Sequence, residues 1–146
     1  MSFAYTTYKT PNAINKIGQD LTGSEGCGVY LKDQAYVDLA TSTTDIPYGV
    51  VVVGAASVDG TYAGTVAQSS LELVDALGCV VQVKASTAGL IGAGEFVLID
   101  TQDANGTFVS TGNQAPATGD WVWGLALTDC AANEQFVMRL QPYIAA

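Results

Sequence analysis

From Gly26 to the C-terminus, short runs rich in valine, threonine, tyrosine and tryptophan recur about every ten residues, each closed by glycine, asparagine, aspartate or proline. That spacing limits the fold more than any other feature. Within the runs apolar and polar residues alternate with period two, the repeat of a strand with one face buried. Strands this short and this frequent predict an all-β fold, a β-barrel or a sandwich.

Individual runs sharpen the reading. Gly28-Val-Tyr-Leu-Lys and Ala35-Tyr-Val-Asp-Leu-Ala flank Asp33-Gln34 as a hairpin. There Tyr36, Asp38 and Ala40 share one face, and Val37 and Leu39 the other. Val50 to Val53 shows no alternation and predicts a strand buried on both faces. Thr61-Tyr-Ala-Gly-Thr-Val follows the turn at Asp59-Gly60. Residues 69–78 read two ways: Ser69-Ser-Leu-Glu has the form of a capping box, with Gly78 closing a short helix, while Leu71 and Leu73 alternate as in a strand. The balance favours the strand. In Asp120-Trp-Val-Trp-Gly-Leu-Ala-Leu-Thr, strict alternation puts Trp121, Trp123, Leu125 and Leu127 on a bulky core face. The small face, with Val122, Gly124, Ala126 and Thr128, would then admit a second backbone closely. In Gln135-Phe-Val-Met-Arg-Leu-Gln, Phe136, Met138 and Leu140 face in, while Arg139 and Gln141 face out. Thr87-Ala-Gly-Leu-Ile-Gly-Ala-Gly-Glu-Phe-Val echoes Thr128-Asp-Cys-Ala-Ala-Asn-Glu-Gln-Phe-Val: one loop-to-strand lead-in used twice.

Residues 1–23 differ. They show neither period, Pro11 interrupts them, and Gly18 and Gly23 punctuate their end. We expect an extended N-terminal arm over 1–23, ahead of one β-rich domain over 24–146. Its candidate contact residues are Phe3, Tyr5, Tyr8, Lys9, Pro11 and Ile14.

Chemistry is sparse. The chain has no histidine, four lysines and one arginine. Residues 1–32 set three lysines against two acids, a net of +1, while residues 33–146 set two basic residues against twelve acids, a net of −10. A net charge of −9 disfavours nucleic acid and anionic membranes as partners. Charged residues make up 13%, about half the usual share, which points to a surface covered in large part by something other than water. Cys27, Cys79 and Cys130 are odd in number and widely spaced, and read as reduced thiols made in a cytosol. The N-terminus has no secretion-signal pattern, and no apolar run approaches a membrane span.

No metal or cofactor is expected. Asp100-Thr-Gln-Asp-Ala-Asn-Gly lacks both the opening carboxylate and the closing glutamate of a calcium loop. Gly89-Leu-Ile-Gly-Ala-Gly has no strand–loop–helix context for a dinucleotide. Carboxylate pairs such as Asp100 with Asp103, or Asp120 with Asp129, read as turn residues and strand ends. Without histidine the usual partner of a serine or cysteine nucleophile is missing, leaving only a formal Lys84–Ser86 pairing. We therefore expect no enzyme.

One resemblance adds to this reading. Gly119-Asp-Trp-Val-Trp-Gly-Leu-Ala-Leu, a small-residue loop, and Glu134-Gln-Phe-Val-Met-Arg-Leu-Gln-Pro resemble the small capsid decoration (cement, or head-stabilising) proteins of tailed bacteriophages. Ala93-Gly-Glu-Phe-Val-Leu-Ile-Asp with Gly106-Thr-Phe-Val is similar to that group's preceding hairpin, and Asp45-Ile-Pro-Tyr-Gly-Val-Val-Val also matches. The similarity spans roughly residues 26–146 and includes no arm motif and no catalytic residue. It implies a small β-barrel or β-tulip-like body, a homotrimer, and the major capsid protein as partner. It also implies a place on the outer capsid surface of the virion, stabilising the expanded shell. The alternative is a carbohydrate-binding or adhesion module of a phage fibre or tail, using the tryptophan and tyrosine faces.

Overall fold

The computed structural model describes residues 16–33, 36–57, 60, 62, 71–103 and 105–146. The six arm residues singled out above, and most of the run from Thr61 to Val66, lie outside them. The described residues form nine strands and no helix: β1 (Gly28–Lys32), β2 (Tyr36–Leu39), β3 (Gly49–Val53), β4 (Glu72–Val74), β5 (Val80–Lys84), β6 (Phe96–Ile99), β7 (Phe108–Ser110), β8 (Trp121–Ala126) and β9 (Gln135–Ile144). They pair antiparallel into a four-stranded sheet, β2-β1-β3-β4, and a five-stranded sheet, β5-β9-β8-β6-β7. The fold is all-β, as expected. Among the described residues no closed barrel is found: one bridge, Ala85 to Phe108, draws the ends of the larger sheet toward each other.

At β3 and β4 the four-stranded sheet is covered on both faces, and the alternation of its side chains divides two cores. Val50 and Val74 point into the main core between the sheets, where they meet Trp123, Phe108, Phe136 and Met138. Their neighbours Val51 and Leu73 point the other way, into a second core with Val29 and Val37. The double burial expected of the four valines holds for Val50 and Val51; it lapses along the strand, where Val52 is half-buried and Val53 is 42% exposed.

The second core exists because residues 16–23 belong to the body. Ile17 and Leu21 are wholly buried in it. Lys16 and Gly18 bond the edge of β2 through Val37, at 2.7 and 2.9 Å, and the Leu21 N–H donates to the Ala55 carbonyl at 3.0 Å. The arm boundary expected at residue 23 therefore falls too late. Ile17 and Leu21 lie four apart in an irregular stretch, so no period marks them as core.

The hairpin at Asp33 forms as expected, with Val29 opposite Leu39 and Lys32 opposite Tyr36. Residues 72–74 are strand, and Leu71 and Leu73 are buried. The inward set Phe136, Met138 and Leu140 is buried, while Arg139 and Gln141 are exposed. The repeated lead-in is a structural fact: the two loops meet each other, Ile91 and Cys130 exchanging N–H···O bonds of 3.1 and 2.9 Å.

One expectation is reversed along β8. Trp123 and Ala126 both enter the main core, although they are three residues apart. Strict alternation forbids this; the β8–β9 register shifts between Val122 and Gly124, and that irregularity turns the rest of the strand over. Leu125 is left half-buried, and Val122 is wholly buried. The close approach read for Gly124 is real: a Cβ there would collide with the Arg139 carbonyl and come 2.8 Å from Met138 Cγ. Gly124→Ala should therefore cost about 1–3 kcal/mol in a urea unfolding curve. Gly112→Ala, whose Cβ would meet nothing closer than 3.4 Å, should stay within about 0.5 kcal/mol of the parent.

Candidate functional site

The acidic residues explain most of the local structure. Four turns use one device, in which a carboxylate at position i+3 accepts the N–H of residue i and its own N–H donates back to the carbonyl of i. The pairs are Ser42 with Asp45, Gly92 with Glu95, Ala117 with Asp120, and Ala131 with Glu134. Three of these turns lead directly into β6, β8 and β9. A side-chain acceptor bound to a backbone N–H competes with extended pairing, so Glu95, Asp120 and Glu134 mark where their strands begin.

The carboxylate pairs considered for acid–base chemistry are separately engaged. Asp100 Oδ1 accepts the Gln102 N–H at 2.7 Å, and Asp103 Oδ2 accepts the Thr107 hydroxyl at 2.8 Å. Asp120 Oδ1 accepts the Thr43 hydroxyl at 2.7 Å and its Oδ2 accepts the Ala117 N–H at 2.8 Å, while Asp129 Oδ1 accepts the Ala93 N–H at 2.6 Å. Glu95 Oε2 takes the buried Ser110 hydroxyl at 2.6 Å. Asp100 Oδ2 is buried without a partner among the described residues. Ser86 Oγ accepts the Ala88 N–H, and no bond joins it to Lys84 among the described residues. No group of three or more cysteines, aspartates and glutamates among the described residues could hold a metal ion.

The three cysteines are free and buried. Burial pushes the Cys27 thiol up to about 11, more than the nearby Lys84 charge lowers it. Burial raises the Cys130 thiol as well. Both directions keep the proton on sulfur near neutral pH, which removes the nucleophilic form.

The tryptophan platform is not at the surface. Trp123 is wholly buried, edge-on to Phe108 with ring centroids 5.5 Å apart, and Trp121 is half-buried against the same core. A stacking face built on both indoles is therefore absent.

Two concavities lie on the described surface and could take a partner. A polar hollow of about 270 Å³ lies where the sheets meet, with Lys84, Asp103, Asn105 and Asn133 in its wall. The larger is an open groove of about 480 Å³ lined by Tyr30, Leu31, Thr44, Asp45, Ile46, Pro47 and Tyr48. Ile46 is 64% exposed and Leu31 38%. Burial raises the Tyr30 phenol, with Asp45, Asp38 and Asp33 adding to it. Burial and then Asp75 do the same for Tyr48. The sequence marks 45–49 as a turn; nothing in it signals that the turn presents an isoleucine beside two tyrosines. No protein-family model matches the chain, and no curated protein matches it.

In native protein at pH 8, Cys27, Cys79 and Cys130 should react with a thiol reagent only on the unfolding time scale, and all three should react at once in guanidinium. A fast thiol in the folded state would contradict their burial.

Proposed function

We propose that this chain is a non-enzymatic structural protein of a tailed-phage virion. In this reading it binds the outer capsid surface as a homotrimer and stabilises the expanded shell by bridging neighbouring capsid subunits. The observation that carries the reading is the use of the acids: Asp45, Glu95, Asp120 and Glu134 hold turns in place, and the body they define offers surfaces rather than reactive groups. The two-sheet body, drawn together at Ala85 and Phe108, is read as an open, tulip-like form.

The physics of attachment suits such a body. A single contact burying about 1,000 Å² or less binds weakly. Three contacts on one trimer make the later ones intramolecular, raising avidity by about 10²–10⁴ where the geometry permits. A net charge of −10 over residues 33–146 keeps copies from aggregating while they are crowded on a shell. Phe3, Tyr5, Tyr8, Lys9, Pro11 and Ile14 are the proposed capsid contacts of the N-terminal segment, and the major capsid protein is the proposed partner.

Purified protein mixed with undecorated, expanded capsids of the phage that encodes it should bind saturably and raise the capsid melting temperature. Removing residues 1–15 should weaken attachment and leave the β-rich circular dichroism intact. Capsids that neither bind the protein nor gain stability would overturn the reading.

A further inference from the structure

We propose that the groove between β1 and the 44–48 loop is a docking site for an extended, positively charged apolar segment of a neighbouring protein. The identity of that neighbour as a capsid subunit rests on the reading above; the chemistry of the segment does not.

The groove is built before anything enters it. Asp45 Oδ2 accepts the N–H groups of Thr41 and Ser42 at 2.9 and 3.0 Å. The Thr43 carbonyl accepts the Trp121 N–H at 2.7 Å, and the Thr43 hydroxyl donates to Asp120. The Tyr48 N–H donates to the Val29 carbonyl at 3.0 Å. The loop is thus fastened to both sheets, and little ordering remains to oppose binding.

Its lining selects the occupant. Leu31, Ile46 and Pro47 form an apolar floor exposed beyond what a lone surface residue would explain. Asp45 is in the lining and Asp38 sits opposite Tyr30 in the β1–β2 register; the charges of Asp45, Asp38 and Asp33 all reach the Tyr30 phenol, as that of Asp75 reaches Tyr48. Among the described residues, Lys32 is the cation paired with these acids, 3.9 Å from Asp38. Among the described residues, Asp45 Oδ1 and the Tyr30 hydroxyl have no hydrogen-bond partner, so each can accept from an ammonium or guanidinium. An apolar side chain on the floor and a lysine or arginine at Asp45 satisfy both. A second copy presenting this same surface would set Asp45 against Asp45, which argues against a self-paired groove.

The probe is a blocked hexapeptide, Lys-Leu-Lys-Phe-Lys-Leu, titrated into the full chain by calorimetry; its control carries glutamate at each lysine. The lysine peptide should bind about tenfold or more tightly than the control and weaken as salt rises. Ile46→Ser and Leu31→Ser alter exposed side chains, so each should fold normally and weaken binding about tenfold. Equal binding of the two peptides, no binding, or binding untouched by either variant would overturn the proposal. Displacement of the probe by a peptide of residues 1–15 would make the chain's own segment the occupant and overturn the assignment to a neighbour. Capsids that bind the parent and Ile46→Ser alike also overturn the groove while sparing the capsid reading. Peptide binding without capsid binding supports the groove and removes the capsid.

Discussion

Gly26 and Gly28 stitch the two sheets together, and the rest of the body is arranged around that seam. The Gly26 N–H donates to the Val51 carbonyl of β3 at 2.8 Å, while the Gly26 carbonyl accepts the Lys84 N–H of β5 at 2.9 Å. The Gly28 N–H crosses to the Gly106 carbonyl at 2.8 Å. A Cβ on Gly28 would lie 2.8 Å from Trp123 Cζ3 and 3.1 Å from Ile99 Cδ1, so the indole of the larger sheet rests directly on the backbone of the smaller. Magnitudes separate the two contributions. Each backbone bond adds about 0.5–1.5 kcal/mol, whereas removing a wholly buried aromatic costs about 3–5 kcal/mol. Packing of Trp123 holds the sheets together, and the bonds fix their register. The indole pays for its seat by leaving Nε1 buried without a partner among the described residues.

The sequence is a good guide wherever structure is local. The hairpin at Asp33, the inward set on β9 and the twin lead-ins before β6 and β9 all follow from alternation or turn chemistry within a few residues. What escapes it depends on contacts distant in sequence. The reversal along β8 arises from the irregular register against β9, between the pairs Val122–Tyr143 and Gly124–Leu140, and no property of β8 alone reveals it. The burial of Ile17 and Leu21 requires the outer face of the four-stranded sheet, which the sequence does not display as a surface. The glycine seam likewise joins distant backbones, Gly26 to Lys84 and Gly28 to Gly106, and no local pattern displays either pairing.

The candidate site was legible only by subtraction. Reading Asp100, Asp103 and Asp120 as turn residues anticipates their local bonds, whereas Asp129 is engaged by Ala93, 36 residues away. The groove at Tyr30 and Ile46 was not legible, because exposure of an isoleucine is a property of the folded surface. The two findings complement each other. Away from the groove Glu95, Asp120 and Glu134 hold turns, whereas Asp45 both holds its turn and lends charge to the groove. That division of labour suits the proposed role of fitting against other surfaces.

The seam is tested most directly by native-state amide hydrogen exchange. If the glycine stitch makes one cooperative body, the amides of Gly26, Gly28 and Lys84 exchange with the same opening free energy as the slowest amides of β8 and β9. If those three exchange orders of magnitude faster while β8 and β9 stay protected, the sheets open separately and the account of the fold fails.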